Sequence, residues 1–213
     1  MNKRFWIITI ILVAGLACLI WIKGNKSSVE SQAAFGGATT EHIIGRKDSV
    51  VSVVEYSDFQ CPACRAYYPT VRQVIEKYGD RISFEYRHYP LVSLHRNAFA
   101  AARASEAAGN QGKFWEMYQI LFEDQSAWSE ADNAPAIFEA YAKKLNLDLP
   151  MYTTAFASSK TSAAIYADMK EFDALGLPKS TPTFLINGRR VEARNNVDDF
   201  SRLIDEELIA AGR

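Results

Sequence analysis

The chain is poor in cysteine: its 213 residues hold three. Cys18 lies in an apolar N-terminal stretch, and the other two form Cys61-Pro62-Ala63-Cys64. A body with one closely spaced pair and no other thiol is not a disulfide-stapled scaffold, because small secreted domains that need staples carry several. The chain is also short of zinc ligands. Besides the pair there are only His42, His88 and His95, with no second C-x-x-C and no H-x-x-x-H. No metal or cofactor is expected. An excess of either charge is missing too: 24 Lys and Arg stand against 25 Asp and Glu, a formal net charge of -1. Nothing in the composition draws the chain toward nucleic acid. There is no internal repeat. A hydrophobic content of 48% with 23% charged residues is that of an ordinary globular chain, long enough for one sizeable core.

The apolar N-terminal stretch runs over residues 5–22, between Lys3-Arg4 and Lys23. Roughly 18 residues at about 1.5 Å rise each come close to the shortest run that spans a hydrocarbon core. Trp6 and Trp21 sit near its ends, where indole rings favour the interface. A retained transmembrane helix, residues 1–23, is expected. The alternative is a cleaved signal peptide, whose apolar core is usually shorter and ends in a small-x-small site; only Ser31-Gln32-Ala33-Ala34 offers one. A third option, lipid attachment at Cys18, meets Gly15 three residues earlier and apolar residues after it. The short N-terminal tail is expected inside and the body outside, on the periplasmic or cell-surface side. Residues 24–40, rich in Ser, Ala, Gly and Gln, read as a flexible linker.

The body, residues 41–213, is expected to be α/β. Residues 50–56 are β-branched and apolar, hence a buried strand. After the cysteine pair, Tyr67, Tyr68, Val71, Val74, Ile75 and Tyr78 recur at helical spacing up to Gly79, and residues 81–86 alternate as a second strand. Helical patterns follow over residues 95–108, 113–123, 136–145 and 161–175, within a helical insertion at about 92–176. Residues 183–191 then read as a hairpin turning at Asn187-Gly188. An amphipathic helix over residues 197–210 closes the chain. The order is β-α-β, helical insertion, β-β-α.

The position of the cysteines makes them chemical. Pro62 suits the first position of a helix, where a backbone N–H has no partner anyway, and this puts Cys61 at the cap. Free amides and the positive end of the helix dipole then favour thiolate at Cys61, the form that attacks disulfides. Cys64 stands one turn on, near enough to close on Cys61. A structural disulfide across so short a loop gains little. Glu55 sits at the end of the first buried strand, where an ionised acid is expensive unless it has a task or a partner. The bland alternative is contact with water at the strand end. His88, His95, Trp115 and Trp128 read as packing or capping residues.

Residues 55–64, Glu-Tyr-Ser-Asp-Phe-Gln-Cys-Pro-Ala-Cys, and 180–188, Ser-Thr-Pro-Thr-Phe-Leu-Ile-Asn-Gly, resemble the DsbA-like family of the thioredoxin superfamily. The resemblance extends over nearly all the chain after about residue 40 and includes Tyr89-Pro90-Leu91 at the entry to the insertion. It implies a thioredoxin-like sheet, a nucleophilic Cys61, a resolving Cys64, and a cis-proline at Pro182 facing them. Thr181 would offer its backbone to an extended substrate, and Glu55 would carry the resolving thiol's proton. One departure is that Pro62-Ala63 lacks the histidine some strongly oxidising members carry between the cysteines. The function so implied is disulfide donation to exported protein thiols, with re-oxidation by a quinone-linked membrane partner. The reverse traffic, reduction of selected extracytoplasmic disulfides through an electron-transfer protein, uses the same residues. A peptide-binding or chaperone module is the non-enzymatic alternative.

Overall fold

The computed structural model describes residues 37–212 of the protein. The expected membrane helix over residues 1–23 lies outside them. Among the described residues no helix is long and apolar enough to cross a membrane.

Five strands form one mixed sheet in the order β1-β3-β2-β4-β5. They are β1 His42–Gly45, β2 Ser52–Ser57, β3 Ser83–His88, β4 Thr183–Ile186 and β5 Arg189–Val191. β2 pairs parallel to β3 and antiparallel to β4, so Glu55 stands opposite Tyr86 on one side and Phe184 on the other. Alternation along β2 sends Val53 and Glu55 to one face and Val54 and Tyr56 to the other, where Phe172 and Leu185 wait.

Helix α1, Pro62–Tyr78, crosses from β2 to β3. It buries Cys64, Tyr68, Val71, Val74 and Tyr78, spaced at three or four residues, against the Val53 face. Each apolar side chain so buried contributes about 1.5 to 3 kcal/mol. Gly79 ends the helix at φ 51°, a conformation that favours glycine. The β4–β5 turn has Asn187 and Gly188 both at positive φ, as a two-residue hairpin of this hand requires.

Six helices lie between β3 and β4: α2 Ala98–Gly109, α3 Phe114–Glu123, α4 Gln125–Trp128, α5 Ala134–Lys144, α6 Leu149–Ala157 and α7 Ser159–Ala174. Alanine-rich α2 lets its neighbours approach closely, with Ala101, Ala104 and Ala107 fully buried. The last helix, α8 Val197–Ala210, packs on α1, where Lys77 and Tyr78 donate to Ser201.

The helix expected from residue 95 begins instead at Ala98, because residues 91–97 form turns that leave the His95 ring free to bind Asp58. Three elements escaped the sequence pattern. β1 and α4 have only four residues each, and α6 starts on a local cue, the Asp148 carboxylate accepting from Met151 N at 2.7 Å.

Two buried carboxylates pin the periphery. Asp168 on α7 accepts from Thr40 N, the Thr40 hydroxyl, His88 N and Arg87, which ties the start of the body to β3. Glu106 Oε1 on α2 joins β1 and β3 by pairing with His42 Nε2 and, at 2.8 Å, with His88 Nε2. With both ring nitrogens turned to one oxygen, this trio is a hydrogen-bonded pin between layers.

Burial alone would raise the Glu106 pKa, yet the two imidazoles hold it at about 2. A depressed folded value means stability that is full above the ordinary 4.5 and is lost as pH falls toward 2. Glu106→Gln is expected to abolish that part of the acid leg, about 2 to 3 kcal/mol, in urea unfolding curves measured across this range. Superimposable acid legs for the two proteins would refute this.

Candidate active site

Cys61 is the N-cap of α1 and Pro62 occupies its first turn. The Cys61 carbonyl accepts the first helical bond, from Arg65 N at 3.1 Å. Its sulfur lies within reach of the free amides of Ala63 and Cys64, with no acid in the first turn to oppose a negative charge. Both cysteines are free, Cys61 at 7% exposure and Cys64 at 0%.

The two sulfurs are driven in opposite directions. The Cys64 S–H donates to the Cys61 sulfur and lowers its pKa; burial opposes this; the Thr181 hydroxyl and the Cys64 and Ala63 amides lower it further, to about 5. Cys64 is pushed well up, by burial first and then by the charge on its partner. At neutral pH the reduced pair is therefore a thiolate at Cys61 and a thiol at Cys64.

Thr181-Pro182 is a cis peptide. When protonated, the Cys61 thiol donates to the Thr181 carbonyl at 3.5 Å. The Thr181 hydroxyl is buried without a hydrogen-bond partner, a donor available to the thiolate. Beside this loop opens a cleft of about 240 Å³ lined by Ala63, Tyr67, Pro182, Phe184, Arg190 and Glu192.

Glu55 is buried at 1% exposure on the face of β2 that looks toward α1. Burial raises its carboxyl to about 7, Ser57 works against the rise and the Cys61 charge adds to it. Glu55 Oε2 and Ser57 Oγ lack hydrogen-bond partners, and the charge of Glu55 in turn raises Cys64. The structure thus brings all five expected site residues, Glu55, Cys61, Cys64, Thr181 and Pro182, to one end of the β2–α1 crossover.

Other side chains shape the loop before Cys61 and had no role assigned from sequence. Asp58, 1% exposed, accepts from Gln60 N, Leu91 N and His95 Nδ1, and its carbonyl accepts from Cys61 N. Gln125 donates to the carbonyls of Phe59 and Cys61. The sequence offered no signal for them, since an acid in the turn after a strand is commonplace and partners 37 and 64 residues away leave no local trace. Trp128, by contrast, is packing as expected, buried with its indole donating to Leu121 O.

A cysteine pair at a helix start, facing a cis X-Pro on a mixed sheet, defines a thioredoxin-like α/β protein. The family described as thioredoxin matches residues 38–206. The chain therefore belongs to the thioredoxin family, and its fold is that of the DsbA-like proteins. Among solved structures it is similar to alpha-DsbA1 of Wolbachia pipientis, with TM-score 0.70, 18% identity, and 81% of this chain and 94% of that one covered. BdbD of Bacillus subtilis gives TM-score 0.68 at 21% identity, covering 81% and 97%. A thioredoxin-like oxidoreductase of Silicibacter pomeroyi gives TM-score 0.66 at 23% identity, covering 78% and 91%.

Curated relatives carry a different name. The chain is 37% identical over 164 residues to a Na(+)/H(+) antiporter NhaA 1 of Salinispora arenicola, which is 77% of this chain and 24% of the relative. It is 36% identical over 171 residues to a Na(+)/H(+) antiporter NhaA 3 of Salinispora tropica, 80% of this chain and 25% of the relative. The matched stretch thus spans about a quarter of the length of these relatives.

The asymmetry between the sulfurs is open to direct measurement. Alkylation of the reduced protein is expected to modify Cys61 with a pH midpoint of about 5 and to leave Cys64 unmodified in the native state. Peptide mapping by mass spectrometry reads both. A Cys61 midpoint near the about 8.5 of a free cysteine contradicts the assignment.

Proposed function

We propose that this chain is a membrane-tethered, extracytoplasmic thiol-disulfide oxidoreductase that donates the Cys61–Cys64 disulfide to exported proteins. One observation carries the direction of transfer: Cys61 caps α1 with no acid in its first turn, a place that favours its thiolate, and its thiol is held down there. Stabilising the thiolate stabilises the reduced protein, and a disulfide whose reduced form is stabilised is a strong oxidant.

In the proposed cycle a substrate thiolate attacks the Cys61 sulfur of the disulfide. The S–S bond breaks, and its electron pair leaves on Cys64, which takes a proton. Glu55, with a carboxyl at about 7, is the buried acid suited to supply it. A second substrate thiolate then attacks the substrate sulfur of the mixed disulfide and releases the Cys61 thiolate. Two electrons pass from substrate to protein, and the substrate leaves with a disulfide. The Thr181 backbone and the cleft beside Pro182 would hold the substrate chain extended during the exchange. Re-oxidation falls to a quinone-linked membrane partner, which a tether over residues 1–23 and a linker over residues 24–40 would keep near. That relatives bearing a similar stretch are named as ion antiporters supports a place beside a membrane. Their antiport activity is not part of this proposal.

Equilibration with glutathione tests the direction. A potential well above the roughly -270 mV of thioredoxin is expected; a value at or below it would overturn the donor role in favour of a reductant. The proton role has its own sign. A raised folded pKa at Glu55 means that stability declines as pH rises from 4.5 to about 7 and stays low above. Glu55→Gln is expected to stabilise the protein at pH about 8, by about 2 to 3 kcal/mol, while slowing disulfide exchange about tenfold. Stabilisation with unchanged exchange would assign Glu55 a structural cost only.

A further inference from the structure

We propose that the Tyr86 and Tyr118 hydroxyls, joined by ordered water, relay protons between the buried Glu55 carboxyl and the open groove between α1 and α3. The inference rests on the proton role given to Glu55 and deepens it.

The register of the sheet brings the parts together. β2 and β3 run parallel, with Glu55 opposite Tyr86 and Ser57 opposite His88. Paired residues on adjacent strands share a face, so these four polar side chains form one block on the buried face of the sheet. Helix α3 adds a fifth, since the Tyr118 ring meets the Tyr86 ring edge-on at 5.3 Å between centroids. None of the five exceeds 4% exposure. Each ends in an atom without a hydrogen-bond partner: Glu55 Oε2, Ser57 Oγ, Tyr86 Oη, His88 Nδ1 and Tyr118 Oη. Other tyrosines of this fold are not left so, for Tyr67, Tyr78 and Tyr89 donate to Ala193 O, Ser201 O and Asp173. One orphaned buried hydroxyl is a cost, whereas several in one block supply the roughly two to four polar partners that hold a buried water.

A relay needs an outlet, and Tyr118 gives one. It lines a groove of about 340 Å³ between α1 and α3, together with Tyr68, Trp115 and the exposed Arg72 and Gln119. His88 is closed at its other ring nitrogen, which meets Glu106 at 2.8 Å. Burial, and after it the Glu55 charge, push both phenols well up, so Tyr86 and Tyr118 stay neutral. A neutral hydroxyl can accept one proton while it donates another. When the Cys61–Cys64 bond opens, the Glu55 O–H breaks and an S–H forms on Cys64. Glu55 then draws a proton through water from Tyr86, Tyr86 from Tyr118, and Tyr118 from solvent in the groove. The net transfer is one proton from bulk water to the Cys64 sulfur, and re-oxidation runs it backwards.

Infrared spectra of the oxidised protein, recorded below pH about 7 where Glu55 is protonated, read the relay directly. The Glu55 carboxyl stretch, identified by its loss in Glu55→Gln, is expected at the position of a hydrogen-bonded acid and should shift promptly in D2O. A free-acid position overturns the proposal without any change to the tyrosines. Tyr86→Phe and Tyr118→Phe each remove one oxygen. They are expected to slow the D2O shift about tenfold, and disulfide exchange with glutathione as much, with the Cys61 midpoint unmoved. An unchanged D2O shift in both folded variants overturns the relay, and a raised Tm beside it would mark the hydroxyls as orphaned atoms only. A slowed shift in a protein whose wild type exchanges no disulfides leaves the relay standing and refutes the oxidoreductase reading.

Discussion

A negative charge on one nearly buried sulfur is the constraint around which the rest of this molecule is arranged. Burial penalises a thiolate, and Cys64 follows that rule: enclosed and next to a charge, its thiol is pushed up. Cys61 escapes it first through the Cys64 thiol one turn on, and further because amides at the start of a helix lack partners. The Ala63 and Cys64 amides, the Cys64 S–H and the Thr181 hydroxyl all converge on its sulfur. Two identical side chains one turn apart thus acquire opposite acidities from position alone. The asymmetry supports the proposed roles, in which a substrate enters and leaves through the sulfur that is the more stable thiolate.

Burial, with a smaller push from the same charge, keeps the acid inside the sheet close to neutral. Glu55 occupies a position where Val53, two residues earlier, is ordinary core. A neutral carboxylic acid is far less costly to bury than a carboxylate, and with its pKa at about 7 the group stays largely protonated in mildly acidic surroundings. Its stability cost therefore appears only when it ionises. An acid whose protonation is finely balanced, buried close enough to a reluctant thiol to raise it, is what the proposed proton role requires.

Most of the fold was legible because its strong elements carry strong periodicity. The α1 stripe from Cys64 to Tyr78, the Asn187-Gly188 turn and the amphipathic α8 all stand where the pattern put them. The elements that were missed are short, such as β1 and α4, or start from a cap, as α6 does at Asp148. Legibility of the site divides along a different line. The cysteines, the Thr-Pro step and Glu55 are recognisable because each breaks a local expectation. Asp58 and His95 break none: an acid in a turn and a histidine before a helix are commonplace. Their meaning arises only when 37 residues of intervening chain fold back.

That fold-back gives the insertion a purpose beyond bulk. In a sheet with one crossover helix, the loop over residues 58–61 would expose backbone groups that neither strand nor helix can satisfy. Here the insertion satisfies them. Gln125 donates to the Phe59 and Cys61 carbonyls, Gln60 is fixed at both ends of its amide by Ser129 and Asn97, and Leu91 N joins His95 on Asp58. A loop fixed by so many bonds to a separate layer cannot shift its sulfur without disturbing that layer. The position of the Cys61 sulfur is thus set by the insertion as well as by the helix it caps.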